Sequence, residues 1–146
     1  MDWVGSVVGE LGKERYRITE ARRDLLHRIS EYARPFTAEQ VYADVQQAGQ
    51  SIGRATVYRT LELLLSRRWL ARIHREDGEH AYVVTGGGHE HHLVCTSCGI
   101  AIAFEGCDFE TMLGGLAQRL GFQVEGHWVE AFGRCQRCQR TAHRPA

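Results

Sequence analysis

The chain has 146 residues, 43% of them hydrophobic and only two of them proline, which is enough to bury a core as one domain or as two small ones. No run of about 18 apolar residues is available for a membrane span, and acidic Asp2 and Glu10 around a short apolar patch are unlike a signal peptide, so a cytoplasmic location is expected. The formal net charge is zero, yet six arginines stand between Arg54 and Arg75 against the one acid Glu62, a local basic stripe of the kind that meets phosphate.

In the first half, the spacing of Val4, Val7, Val8 and Leu11 predicts a short N-terminal helix. Thr19 can cap a second helix running to about Tyr32, with Ala21, Leu25, Leu26 and Ile29 on one face and Arg22, Arg23 and Arg28 around the rest. The strongest local signal is "FTAEQVYADVQQAG". There Thr37 stands at an N-cap with Gln40 three residues on, Phe36 and Val41 are spaced as a hydrophobic staple, and Gly49 ends the helix. After "QSIG", the stretch "RATVYRTLELLLSRRWL" puts Val57, Leu61, Leu64 and Leu65 on one helical face and Arg54, Thr56, Tyr58 and Arg59 on the other. Alternating runs on either side of Asp77 and Gly78 in "LARIHREDGEHAYVV" predict a two-stranded hairpin.

A capped helix, a short turn, a second helix with arginines on its exposed N-terminal face and then a hairpin describe a winged helix-turn-helix. In that arrangement the second helix enters the major groove and the hairpin follows the backbone. Arginine forks suit phosphates and guanine edges, while a tyrosine ring and a threonine methyl can contact thymine methyls. Charge alone would equally describe a solvated face on a helical bundle, and the hairpin directly after the helix argues against that.

Three consecutive glycines in "TGGGH" predict a joint at residues 85–88, between a DNA-binding domain at 1–84 and a second domain at 89–146. If "HEHHLVC" is extended, His89 and His91 lie on one face and Glu90 and His92 on the other, so one strand can serve two metal sites. The remaining sequence predicts a Cys knuckle and strand in "CTSCGIAIAF", a helix from Asp108 to about Leu120, two short strands in "FQVEGHWVEAFG" and a second knuckle in "CQRCQ". Cys95, Cys98, Cys135 and Cys138 have the spacing C-x2-C-x36-C-x2-C. Four thiolates suit tetrahedral Zn²⁺ at about 2.3 Å and leave no open position for chemistry, so this site is expected to be structural. Rubredoxin-like iron and a redox dithiol are the rival readings, and the chain lacks the thioredoxin-like βαβ pattern of the latter. Cys107 stands apart and reads as a small buried residue.

"RIT" at Arg17 to Thr19, "TAEQVY" at Thr37 to Tyr42, "IGRATVYRTLELL" at Ile52 to Leu64, "HEHHLVCTSCG" at His89 to Gly99 and the closing "CQRC" together resemble the ferric-uptake-regulator family of metal-sensing bacterial repressors. The resemblance runs in order from about Tyr16 to Cys138. It implies an α+β homodimer with an N-terminal winged-helix domain and a C-terminal α/β dimerisation domain carrying the four-cysteine zinc site, bound to AT-rich inverted repeats of double-stranded DNA when the regulatory metal is loaded. It also implies that Tyr58 and Arg59 lie at the DNA, that Arg17 reaches a minor groove, and that His89, His91, Glu110 and His127 are regulatory ligands. That N3O set suits zinc, while ligand softness alone also admits Fe²⁺ or Mn²⁺.

At the family's other sensory site, the positions just before the "TAE" helix, in the strand ahead of the histidines and five residues past the second cysteine hold Pro35, Val83 and Ala103, none of which can ligate. Positions that zinc-sensing members fill with a carboxylate and a cysteine hold Ala71 and Thr85. Glu90 and His92 remain, and His80 on the hairpin can complete a second regulatory site with them; otherwise His80 is a solvated hairpin residue. These departures weaken iron and peroxide sensing and favour a zinc-responsive repressor of zinc-uptake genes, because zinc tolerates four-coordinate, His-rich sets. Ligands on both sides of the glycines suggest that metal closes the dimer onto its operator. A zinc hydrolase would need an open coordination position, which the regulatory set of four would fill, and no H-E-x-x-H or Ser-His-Asp signature is present. Neither an enzyme activity, a small organic substrate nor a membrane partner is expected, and the arginine stripe argues against a mere metal buffer.

Overall fold

The computed structural model describes residues 2–75, 78–88, 90–106, 108–127 and 129–142. They fall into two compact units, Met1–Gly88 and His89–Ala146. No helix among the described residues is long and apolar enough to cross a membrane.

The first unit begins with α1 (Trp3–Lys13), capped by the Asp2 carboxylate, which accepts from the Gly5 N–H. Next comes α2 (Glu20–Ser30), where the Thr19 hydroxyl accepts from the Arg22 N–H. The helix α3 (Ala38–Gln47) carries the full capping box: the Thr37 hydroxyl accepts from the Gln40 N–H and the Gln40 side chain accepts from the Thr37 N–H. Such reciprocal satisfaction of orphan donors fixes where a helix starts. Gly49 follows its end with φ of 73°, a left-handed conformation that favours glycine.

The helix α4 (Arg54–Ser66) buries Val57, Thr60, Leu61 and Leu64 and leads into a hairpin of β1 (Leu70–His74) and β2 (His80–Val84). The strands pair antiparallel, with Leu70 opposite Val84 and His74 opposite His80. Phe36 and Tyr82 exchange both backbone hydrogen bonds, so the residue just before α3 extends the hairpin by one bridge. The core joins all four helices through Val7, Leu11, Leu25, Leu26, Ile29, Val41, Val45, Val57 and Leu64, each fully buried. Apolar faces at helical spacing are what drive this packing, since isolated helices of this length are marginal in water.

The N-terminal helix is more than the short segment expected. Its Trp3 ring meets Trp69 edge-on at 6.1 Å, and the Trp3 indole N–H donates to the Thr85 carbonyl at 2.8 Å. The Thr85 hydroxyl in turn donates to the Arg68 carbonyl at 2.5 Å. Gly87, with φ of 82°, lies so close to Trp69 that an added Cβ would sit 3.1 Å from its ring.

The second unit is a three-stranded sheet in the order β4-β3-β5, built from β3 (His91–Cys95), β4 (Ala101–Phe104) and β5 (Glu130–Gly133). The first two pair antiparallel, while β3 and β5 pair parallel, which requires a long return through α5 (Phe109–Leu120). A final helix, α6, spans Gln136–Ala142. Two expectations are corrected here. Only one strand forms in Phe122–Gly133: Glu130–Gly133 pairs with β3, and Phe122 to His127 pair with no strand among the described residues. The second Cys pair does not make an isolated knuckle but sits at the start of α6. Cys107 lies outside the described residues.

Candidate functional site

Parallel pairing builds the metal centre. Cys95 ends β3 opposite Gly133 at the end of β5, and the Thr96 N–H donates to the Gly133 carbonyl at 2.8 Å, so the two Cys pairs are brought side by side from 37 residues apart. Gly99, at φ of 72°, closes the first knuckle with its N–H donating to the Cys95 carbonyl. All four sulfurs lie within 4.8 Å of one another, and Cys98 Sγ is 3.7 Å from Cys135 Sγ. A tetrahedron of sulfurs about 2.3 Å from a central zinc has edges of about 3.8 Å, so the spacing suits that ion and is far too long for a disulfide.

The local electrostatics agree. The Cys135 N–H donates to Cys95 Sγ at 3.3 Å, and it is first among the backbone donors that pull the Cys95 thiol down to about 6. The Ile100 N–H, foremost, lowers Cys98. Cys138 is pushed up to about 12, chiefly by its hydrogen bond to Cys135 and next by burial, with charge repulsion from Cys135 a smaller part. A dication would relieve that repulsion, and four sulfurs at this spacing suit a closed zinc site.

The histidines begin the strand that Cys95 ends. His91 and His92 are neighbours on a regular strand, so they point to opposite faces of the sheet, and both are buried. The Val129 N–H donates to His91 Nδ1 at 3.2 Å, and the His91 ring stacks against that of His127 with centroids 5.2 Å apart. Burial holds the His92 imidazole below its ordinary value, against the smaller opposing pull of Glu90 and Glu130. Glu110 is exposed in the first turn of α5. Among the described residues the four cysteines are the one group of three or more ligands drawn together, so His91 and His127 meet without Glu110. His89 lies outside the described residues. His80 belongs to the first unit, where its ring meets that of His74 across the hairpin at 5.3 Å.

The candidate nucleic-acid face is the first two turns of α4. Arg54 and Arg59 are exposed, and Thr56 and Tyr58 half-buried. Arg17 is exposed ahead of α2, its carbonyl accepting from the Arg22 guanidinium at 2.8 Å. Two residues of α3 that sequence reasoning passed over organise this face. Glu39 accepts a short hydrogen bond from the Tyr58 hydroxyl and forms an ion pair with Arg54 at 3.7 Å, while the Arg54 guanidinium lies 4.8 Å over the Tyr42 ring. The Tyr58 contact holds Glu39 below the usual carboxylate range and raises Tyr58. The available signal was the "TAEQVY" helix itself, whose Glu39 and Tyr42 are spaced three apart and so share one face.

A profile of the ferric uptake regulator family matches residues 13–132. The ferric uptake regulation protein of Neisseria gonorrhoeae is 29% identical over 140 residues, which cover 95% of this chain and 97% of that one. The zinc uptake regulation protein of Mycobacterium tuberculosis is 34% identical over 103 residues, covering 70% and 79%. A zinc uptake regulator solved in complex with zinc and DNA superposes with a TM-score of 0.79 at 22% identity, over 95% of this chain and 94% of that one. The chain belongs to the ferric uptake regulator family, whose members are metal-responsive transcription regulators and not enzymes.

Proposed function

We propose that this regulator is a zinc-responsive repressor of zinc-uptake genes, acting in the cytoplasm as a homodimer on AT-rich inverted repeats. The observation that carries the choice of metal is the absence of ligating atoms at Pro35, Val83 and Ala103, with Val83 instead packed in the core of the first unit. His89, His91, Glu110 and His127 then form the regulatory zinc site, with His80, Glu90 and His92 as a second one. The ring contact between His91 and His127 supports the first set. A bound zinc would supply a four-coordinate cation for these ligands; the chain's own part is to keep His91 buried, with the half-buried His127 ring against it.

DNA binding is supported by the exposed Arg54 and Arg59 on α4 and by the capture of a related regulator on DNA. Dimerisation is supported by the exposed apolar side chains of the second unit, among them the cross-strand pair Leu93 and Ile102 together with Phe132, Met112 and Leu120. A second reading, an iron response, is favoured by the ferric uptake regulation relatives that match nearly the whole chain, and Mn²⁺ suits the same ligands.

The test is fluorescence anisotropy of a labelled AT-rich inverted repeat from the protein's own upstream region, in buffers setting free Zn²⁺, Fe²⁺ or Mn²⁺ separately at fixed salt. Binding that tightens with free zinc alone supports the proposal. Tightening with Fe²⁺ or Mn²⁺ alone would reverse the choice of metal.

A further inference from the structure

Glu39 lies outside the recognition helix, yet two of that helix's side chains, the half-buried Tyr58 and the exposed Arg54, close on it. The Tyr58 hydroxyl donates to its carboxylate and Arg54 pairs with the same oxygen. A tyrosine hydroxyl has one hydrogen to give and lone pairs to receive with. Once that hydrogen is committed to a carboxylate, which can only accept, the hydroxyl oxygen faces outward as an acceptor alone. Base edges in the major groove differ in this respect: adenine N6 and cytosine N4 donate, whereas guanine O6, thymine O4 and the purine N7 atoms accept.

We propose that Glu39 is a specificity-determining residue of the DNA-reading surface, fixing Tyr58 as a hydrogen-bond acceptor for an exocyclic amino group, adenine N6 or cytosine N4, at one position of each half-site. The inference rests on the reading of α4 as the DNA-recognition helix. Glu39 acts through Tyr58 and is thus a positioning residue for it. The same carboxylate restrains Arg54, which is also held over the Tyr42 ring, and its negative charge opposes indiscriminate attraction of the arginine stripe to phosphate. Specificity is gained and general affinity lowered by one side chain. The raised Tyr58 and lowered Glu39 ionisations follow from the same shared proton.

The experiment is selection and sequencing from a random-sequence duplex library with the full-length protein at saturating buffered zinc, comparing the parent with E39A, E39Q, Y58F and E39A/Y58F. Thermal unfolding checks that each variant folds, and E39M, which keeps helix propensity but lacks an acceptor, replaces E39A if that variant does not. The parent should prefer an amino-bearing base at one half-site position. In E39A, whose hydroxyl hydrogen is free to donate, that preference should weaken about three- to tenfold. Y58F should weaken the same position, and the double variant should match Y58F. E39Q retains an acceptor oxygen and should keep the preference while binding unrelated duplex more tightly. An unchanged preference in E39A, or an effect at positions that Y58F leaves alone, would overturn the proposal with DNA recognition intact. If the parent selects no sequence at all, the DNA-binding reading itself fails and the proposal falls with it.

Discussion

The Tyr32 hydroxyl donates to Asp44 across 2.5 Å, joining the connection after α2 to the middle of α3, while its ring stacks on Phe36 at 4.4 Å. Burial first, and the Asp44 contact second, push the Tyr32 ionisation well above the usual tyrosine value. A group whose folded value is raised contributes stability that is complete below its ordinary value, about 10, and disappears as pH climbs through the folded one. At neutral pH, Tyr32→Phe should cost about 1 kcal/mol. Urea denaturation of parent and variant from pH 7 to pH 11 should show the gap narrowing above about pH 10. A gap that stays constant over that range would contradict the assignment.

Removal of one zinc ligand should undo the second unit. With Cys98→Ser or Cys135→Ser, elemental analysis should find one zinc fewer per chain, and amide exchange in β3 and β5 should accelerate sharply, because the parallel pairing ends at the metal. Retention of both the zinc and the protection would exclude the tetrathiolate site.

The glycines before the second unit should not be equivalent. Gly87→Ala meets both a left-handed φ and the Trp69 ring, and should destabilise the first unit by about 1–3 kcal/mol. Gly88 has nothing within 4 Å of an added Cβ, and Gly88→Ala should stay within about 0.5 kcal/mol of the parent. Equal melting temperatures for the two variants would refute the clamp at Gly87.

Arg59 is exposed on α4, and on the proposed DNA-binding reading it is expected to meet a phosphate. Arg59→Ala should weaken binding to operator and unrelated duplex alike and reduce the slope of log affinity against log salt by about one. Loss confined to the operator would instead make Arg59 a base reader.

Local signals in the sequence were faithful where a single short-range rule governs. The capping box at Thr37 and Gln40 and each Cys-x2-Cys pair depend on residues three positions apart, and each is found in the structure. The winged-helix order of elements was likewise legible, since apolar periodicity changes from helical to alternating at Leu70. What could not be read was set by distant partners. Nothing in "FQVEGHWVEAFG" reveals that only its last residues pair, because their partner β3 lies far back in the chain. The burial of both His91 and His92 depends on β4 and β5 flanking them, not on the pleat alone. Glu39 was passed over because its role depends on a tyrosine 19 residues away on another helix.

Trp3, Arg68 and Trp69 together hold the start of the glycine run: the Thr85 carbonyl accepts from the Trp3 indole, its hydroxyl donates to the Arg68 carbonyl, and Gly87 packs on the Trp69 indole. The stretch from Thr85 to Gly87 therefore belongs mechanically to the first unit. Ordering a residue's backbone costs about 1–2 kcal/mol in entropy, and for these residues that loss is incurred when the first unit folds. The tether leaving the first unit is consequently shorter than its glycine content implies, and any later ordering across it begins with less freedom to surrender.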